Sequence, residues 1–292
     1  MLMGASQITL QEAARRLGVH YMTAYRYVRT GSLPARQAGA RWMVEETDVE
    51  AMRNPKSPRR ASGAEEGGGG GRTRSRQQLM SRLVAGDEAG AWATLQNLVS
   101  TGADPADIYV EVLAPALQMV GDAWEDGSLG VAGEHRASAT ATRLVGRLGP
   151  MFARRGRPRG TVVVGIVETD RHALPSAMLA DLIRSDGFQV LDLGADTPAG
   201  AFVEAAGDAS RLMAVMVGAT VRGTRDRLAA TVAALKTAGV AAPVLVGGAA
   251  VPGREAAVAL GADAWTGSDA RAALALLNEV ASRRPRPARP VP

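Results

Sequence analysis

The chain has three histidines, His20, His135 and His172, and no cysteine. The missing thiol removes disulfides, thiolate nucleophiles and every Cys-containing zinc site at once. Any metal must therefore be held another way, and His172 has suitable company. It lies in ETDRHALPSAML, directly after the apolar run TVVVGIV, with Asp170 two residues upstream. A neutral imidazole can give one ring nitrogen to a transition metal while a carboxylate on the other orients the ring. A loop histidine without a ligand is the plain alternative. The sequence holds no nucleophile–base pair, no P-loop and no glycine fingerprint after the first strand, so we read a binding protein rather than an enzyme.

The elements that must position His172 follow from periodicity. From 158 to 284, the apolar runs TVVVGIV, FQVLDLG, LMAVMVG and PVLVGG alternate with helical stretches such as PSAMLADLIRSDG. Continuous apolar strands joined by helices predict a doubly wound, parallel, flavodoxin-like α/β domain, whose ligands sit beyond the carboxyl ends of the strands. Residues 77–157 carry apolar positions at spacings of three and four, as in Val112, Leu113, Leu117, Val120 and Trp124. They are broken at Gly86-Asp87, Gly102–Pro105 and Gly127-Ser128, which predicts a four-helix bundle with Asp87 and Asp104 as caps. Residues 55–76, with five consecutive glycines, read as a flexible linker, and 285–292 as a disordered basic tail.

Residues 1–54 form a separate head. ITLQEAARRLGVHYMTAYRYVRTGSLPARQAGARWMV predicts helix, turn, helix and hairpin, with Ala13, Ala14, Leu17 and Val19 inward and a second helix from Tyr21 to Arg29. The segment resembles the excisionase/MerR-type winged helix-turn-helix. That resemblance implies double-stranded operator DNA as partner, Tyr21, Thr23 and Arg26 as base-reading candidates (with Tyr25 also turned outward), and Arg36 and Arg41 against phosphate. A helical hairpin that binds protein is the alternative, and His20 could cap the second helix, touch phosphate or do neither. The net charge of +5 and the basic surplus of the head suit a phosphate backbone, although a solvated basic face gives the same charge.

Asp170-Arg-His172 resembles the Asp-x-His-x-x-Gly signature of base-off, His-on cobalamin domains. The resemblance makes His172 the lower axial cobalt ligand. VGATVR stands where that family has its Ser-x-Leu element, giving Thr220, and VLVGGAAV with LGADAW stands at its Gly-Gly strand end, giving Gly247 and Gly248. Pro175 replaces the signature glycine, and Thr220 and Arg222 replace serine and leucine. In the helical piece, Trp124, nine intervening residues and Glu134-His135 resemble the cap over the upper face of cobalamin in light-responsive repressors of the CarH/LitR type. A core tryptophan and a solvated helix start are the alternatives from the residues alone.

This resemblance covers nearly the whole chain. It implies an adenosylcobalamin-dependent photoreceptor and repressor, a dimer or tetramer whose heads bind the operator with gained avidity in the dark and which comes apart when light breaks the cobalt–carbon bond. Those repressors carry a histidine directly after the cap Trp, and Glu125 stands here. A carboxylate is a harder ligand than imidazole, so the end state after light is expected to differ. Two rivals are a corrinoid carrier for a methyltransferase and a regulator of another tetrapyrrole, haem or bilin, with His172 or His135 on iron. No apolar run approaches the roughly 20 residues that span a bilayer, and Met1 to Ile8 lacks the regions of a signal peptide, so a cytoplasmic protein is expected.

Overall fold

The structure, a computed structural model, describes residues 7–17, 19, 21–29, 33–38, 41–53 and 69–283. It divides into two compact units, Met1–Gly67 and Gly68–Pro292. No helix among the described residues is long and apolar enough to cross a membrane.

In the first unit, β1 (Gln7–Thr9), α1 (Leu10–Leu17), α2 (Tyr21–Arg29), β2 (Ala35–Ala38), β3 (Arg41–Glu45) and α3 (Glu46–Arg53) follow in order. Thr9 starts α1 by accepting a hydrogen bond from Glu12 N at 3.3 Å, half of a capping box. β3 lies between β1 and β2 and is antiparallel to both. Leu10, Ala13, Ala14, Ala24, Leu33, Val44 and Val49 form the buried core. The expected helix pair and hairpin are present, with β1 and α3 in addition. Tyr25, expected to face outward, is half-buried: its ring stands edge-on to Trp42 at 6.3 Å and stacks with Tyr21 at 6.5 Å. The hairpin tryptophan needs an aromatic neighbour on α2 to cover it.

The second unit opens with α4 (Gly69–Ala85), α5 (Glu88–Ser100), α6 (Pro105–Ile108) leading through a π-helical turn, Tyr109–Leu113, into α7 (Ala114–Glu125), and α8 (Val131–Leu148). Asp87 and Asp104 cap α5 and α6 through Gly90 N at 2.9 Å and Ala106 N at 2.8 Å. The helix α4 begins at Gly69, inside the stretch expected to be linker. Arg72 and Arg76 explain why: the first pairs with the Glu111 carboxylate and the second donates to the Glu111 carbonyl. These contacts outweigh the helix cost of Gly69, Gly70 and Gly71, about 1 kcal/mol each. The π turn has a matching cause. Pro115 has no N–H for the Glu111 carbonyl, the register widens, and Arg76 takes the freed oxygen.

A five-stranded parallel sheet follows, built from β4 (Thr161–Ile166), β5 (Gln189–Asp192), β6 (Leu212–Gly218), β7 (Val244–Gly247) and β8 (Ala264–Trp265) in the order β5-β4-β6-β7-β8. This is the flavodoxin-like order. Every residue of β4 and of β7 is buried, as expected of strands covered on both faces by α9 (Ala173–Ser185), α10 (Ala199–Asp208), α11 (Arg225–Thr237), α12 (Arg254–Ala259) and α13 (Ala270–Arg283).

Bundle and sheet domain share one core. Met178 and Leu182 of α9 are buried in the same cluster as Leu113, Leu144 and Leu148 of the bundle. Tyr109, fully buried, donates to Asp181 Oδ2 of α9 at 2.9 Å. Burial first, and then the Asp181 charge, push the phenol's pKa upward, so its proton stays in place. Arg184 closes the other side of Asp181 at 2.7 Å. On the far side of the joint, Arg271 of α13 pairs with Asp107 at 2.5 Å and Glu111 at 2.8 Å. Substituting Tyr109→Phe leaves Asp181 one partner short in a buried setting, and we predict a loss of about 1–3 kcal/mol. A lower urea midpoint at unchanged slope is the expected reading; an unchanged midpoint would remove Tyr109 from the joint's energetics.

Candidate functional site

β4 connects through α9 to β5 on one side, while β6 lies on the other, so the strand order reverses between β4 and β6. Chains leaving the two strands diverge there and open a crevice. The loops after Ile166 and Gly218 carry Asp170, His172 and Thr220 into it. Asp170 is fully buried. Its Oδ2 accepts from Thr220 N at 2.5 Å and Val221 N at 3.2 Å, and its Oδ1 from His172 N at 3.2 Å. The Thr220 hydroxyl lies 3.0 and 2.9 Å from the two oxygens. Burial alone would raise the Asp170 pKa, but the hydrogen bonds from Thr220 and His172 outweigh it and hold the carboxyl below its usual range.

The ionised carboxylate settles the imidazole. His172 Nδ1 lies 2.8 Å from Asp170 Oδ1 and 3.0 Å from Thr220 Oγ1. An ionised carboxylate only accepts, so Nδ1 carries the proton and the Nε2 lone pair is left for a ligand. The side chain is 63% exposed, and Nε2 has no hydrogen-bond partner among the described residues. One imidazole nitrogen is a single ligand, so a metal held here must bring most of its own coordination sphere, as a macrocycle does.

Asp196 also holds this loop, and nothing in its spacing or type singled it out in the sequence. Its Oδ1 accepts from Thr169 N at 2.7 Å and its own N donates to the Asp170 carbonyl at 2.9 Å. Thr169 sits at φ 71°, a left-handed conformation costing a β-branched residue about 1–2 kcal/mol. The Asp196 contacts over-determine it.

Beside the loop runs a cleft of about 110 Å³ lined by Pro175, Ser176, Thr220, Gly247, Gly248 and Thr266, among others. Its size admits one end of an elongated ligand. Pro175 falls in the first turn of α9, where a missing N–H costs no helix bond, and it forms part of the cleft wall. Gly247 and Gly248 line the cleft, but their lack of a side chain is required by the protein itself. A Cβ on Gly247 would meet Thr266 Oγ1 at 1.9 Å, and one on Gly248, at φ +97°, would meet the Ala219 carbonyl at 2.3 Å. Arg222 opens a short 3₁₀ turn and is exposed. A larger hollow of about 400 Å³ near Val203, Leu212 and Ala242 is at the opposite edge of the sheet, away from all of these groups.

In the bundle, Trp124 lies near the end of α7 and Glu134 and His135 near the start of α8. Trp124 is 53% exposed at the end of α7, which sets aside the core-tryptophan alternative. Glu134 bonds His135 Nδ1 at 2.8 Å and Ser138 Oγ at 2.6 Å. Glu125 ends α7 and is exposed. In the head, Tyr21 is exposed at the start of α2. Arg36 is exposed and donates to Gln7 Oε1 at 3.1 Å. Thr23 and Arg26 belong to α2 and Arg41 to β3; their side chains, like His20 and the segments 54–68 and 284–292, lie outside the described residues.

A helical cap over a flavodoxin-like domain, with an outward imidazole fixed by a buried carboxylate at the switch point, defines a class of corrinoid-binding module. Comparison with known proteins agrees. Family models described as B12 binding domains match residues 75–148 and 160–277, and a helix-turn-helix domain model matches 8–56. Dimethylamine corrinoid protein 2 of Methanosarcina acetivorans is 31% identical over 170 residues, which are 56% of this chain and 76% of that protein. Trimethylamine corrinoid protein 1 of the same organism is 30% identical over 123 residues, 41% of this chain and 57% of that protein, so the chain spans little over half the length of the latter. The solved monomethylamine corrinoid protein of Methanosarcina barkeri superposes with a TM-score of 0.62 at 20% identity, covering 71% of this chain and 99% of that one; this likeness concerns the fold. The chain belongs to the corrinoid-protein family of B12-binding domains, and it carries a helix-turn-helix domain in addition.

Two predictions follow from the geometry. Because the Asp170 pKa is lowered in the fold, its stabilisation is complete above the unfolded carboxylate value, about 4, and is lost as pH falls through the folded value. Urea unfolding of the native chain and of Asp170→Asn at a series of pH values should therefore show a gap that narrows towards acid; a gap that widens would contradict the assignment. Gly248→Ala meets backbone and is expected to cost about 3 kcal/mol or more, seen as a large fall in thermal midpoint.

Proposed function

We propose that the chain is a cobalamin-dependent, light-responsive transcription regulator that binds operator DNA and catalyses no reaction. The observation that carries this reading is the presence, in one chain, of a helix-turn-helix head and of both corrinoid-binding pieces. A carrier of methyl groups has no use for such a head.

The residues fit the cofactor. His172 Nε2, unpartnered among the described residues, would be the chain's ligand to the corrinoid metal, with Asp170 and Thr220 holding its ring. The cleft behind Pro175 and Ser176 receives the nucleotide tail. Trp124, a half-exposed indole, covers a bulky upper group such as adenosyl, and Glu134 and His135 offer hydrogen bonds to its sugar and base. Adenosylcobalamin, when bound, supplies a cobalt–carbon bond that green light cleaves. The chain's part is to order the α7–α8 end of the bundle around the upper group and release it afterwards. Glu125, following Trp124, would offer a corrinoid metal a carboxylate in place of an imidazole, a harder ligand, so the response would run by a more reversible route. Ordered caps favour a dimer or tetramer, which gives the heads avidity for the operator.

The names of the relatives favour a second reading, a corrinoid carrier serving a methyltransferase; a regulator loaded with haem or bilin is a third. One experiment separates them. The full chain is mixed with adenosylcobalamin in the dark, and its spectrum, size and duplex retention are recorded before and after green light. A base-off spectrum, with size and DNA retention that change on illumination, is expected. Binding without DNA retention favours the carrier, and a spectrum of cobalt held by two histidines after light contradicts the reversible route.

A further inference from the structure

The edge of the sheet opposite His172 gathers positive charge from distant parts of the sequence. Residues 153–159, ARRGRPR, enter β4 there; all are exposed, with four arginines and no acid. Two of the arginines fasten the loop. Arg154 donates to the Ser185 carbonyl at 3.4 Å. Arg159 donates to the Asp186 carbonyl at 3.1 Å and to Asn278 Oδ1 of α13 at 2.7 Å, pairs with the Asp186 carboxylate at 3.4 Å, and has its guanidinium 4.3 Å above the Phe188 ring. Both contacts satisfy the end of α9, whose last carbonyls attract cations.

The other two arginines have no such role. Arg155 and Arg157, on either side of Gly156 at φ +113°, have no ion pair or hydrogen bond among the described residues. Arg211 is exposed at the same edge, its carbonyl joined to Thr161 N at 3.0 Å. The Asn278 contact brings α13 to this loop. Exposed like charges along one edge leave a positive potential there that a polyanion outside the fold would neutralise. A run of regularly spaced negative charges outside the fold fits that need, and a covalently attached helix-turn-helix head would present one at high local concentration.

We propose that this edge, centred on Arg155 and Arg157, is a second contact for the phosphate backbone of duplex DNA. It rests on the regulator reading and adds a sequence-independent hold to whatever the head reads. Loss of two phosphate contacts lowers the slope of log affinity against log salt by about 1.8. Full-length protein loaded with cobalamin, native and with Arg155→Ala plus Arg157→Ala, is titrated with fluorescent duplexes of different sequence at several salt concentrations. Between about 50 and about 200 mM salt, the native chain should lose about tenfold more affinity than the variant. The loss at low salt should be alike for every duplex, Arg155→Lys plus Arg157→Lys should restore the native slope, and the corrinoid spectrum should not change. Equal slopes for native and variant overturn this proposal and leave the regulator reading standing, as does a variant that loses only retention on anionic lipid vesicles. A native chain that holds no duplex overturns both at once.

Discussion

A charge that is fully buried must be answered from every side, and Asp170 imposes that requirement on the whole site. Its partners come from two loops that belong to neighbouring strands running apart, so the carboxylate ties the exit of β4 to the exit of β6. The tie fixes the width of the crevice, the proton on His172 Nδ1 and the outward aim of Nε2. Thr220 does here what a serine can do, holding Asp170 through its backbone N–H and its hydroxyl, with an added methyl. The replacement of serine by threonine leaves the hydrogen-bond pattern closed.

Much of this was legible in the residues. Long apolar runs such as TVVVGI predicted buried parallel strands, and the place of Asp170 and His172 after the first of them predicted a site at the carboxyl edge. The bundle's helices followed from spacing and from Asp87 and Asp104. What escaped notice has physical reasons. β1 and β8, with three and two residues, are too short to show a period. Gly69 to Arg76 has the composition of a linker, and only the tertiary partner Glu111 turns it into helix. Asp196 acts through backbone groups of a neighbouring loop, a role open to any short acceptor and therefore without a signature. Tyr25 was read outward from α2 alone, before Trp42 was there to claim it.

The glycines show how a family motif can be matched for more than one reason. Gly247 and Gly248 line the cleft, yet each is also pressed against protein atoms that leave no room for a Cβ. Pro175 makes the opposite point: a departure from the motif is compatible with the helix that follows, because a proline in a first turn forfeits nothing. Its ring lines the cleft.

The shared core beneath the cap has a consequence for how this protein can be divided. Helix α9 belongs to the sheet domain by chain order, but its Met178 and Leu182 are interior residues of the bundle, and Tyr109 of the bundle completes the shell of Asp181. A cut between residues 148 and 160, where one matched family stretch ends and the next begins, would expose an apolar face on each fragment and leave Asp181 with Arg184 but without Tyr109. The two corrinoid pieces therefore fold as one compact unit, Gly68–Pro292, with a single shared interior.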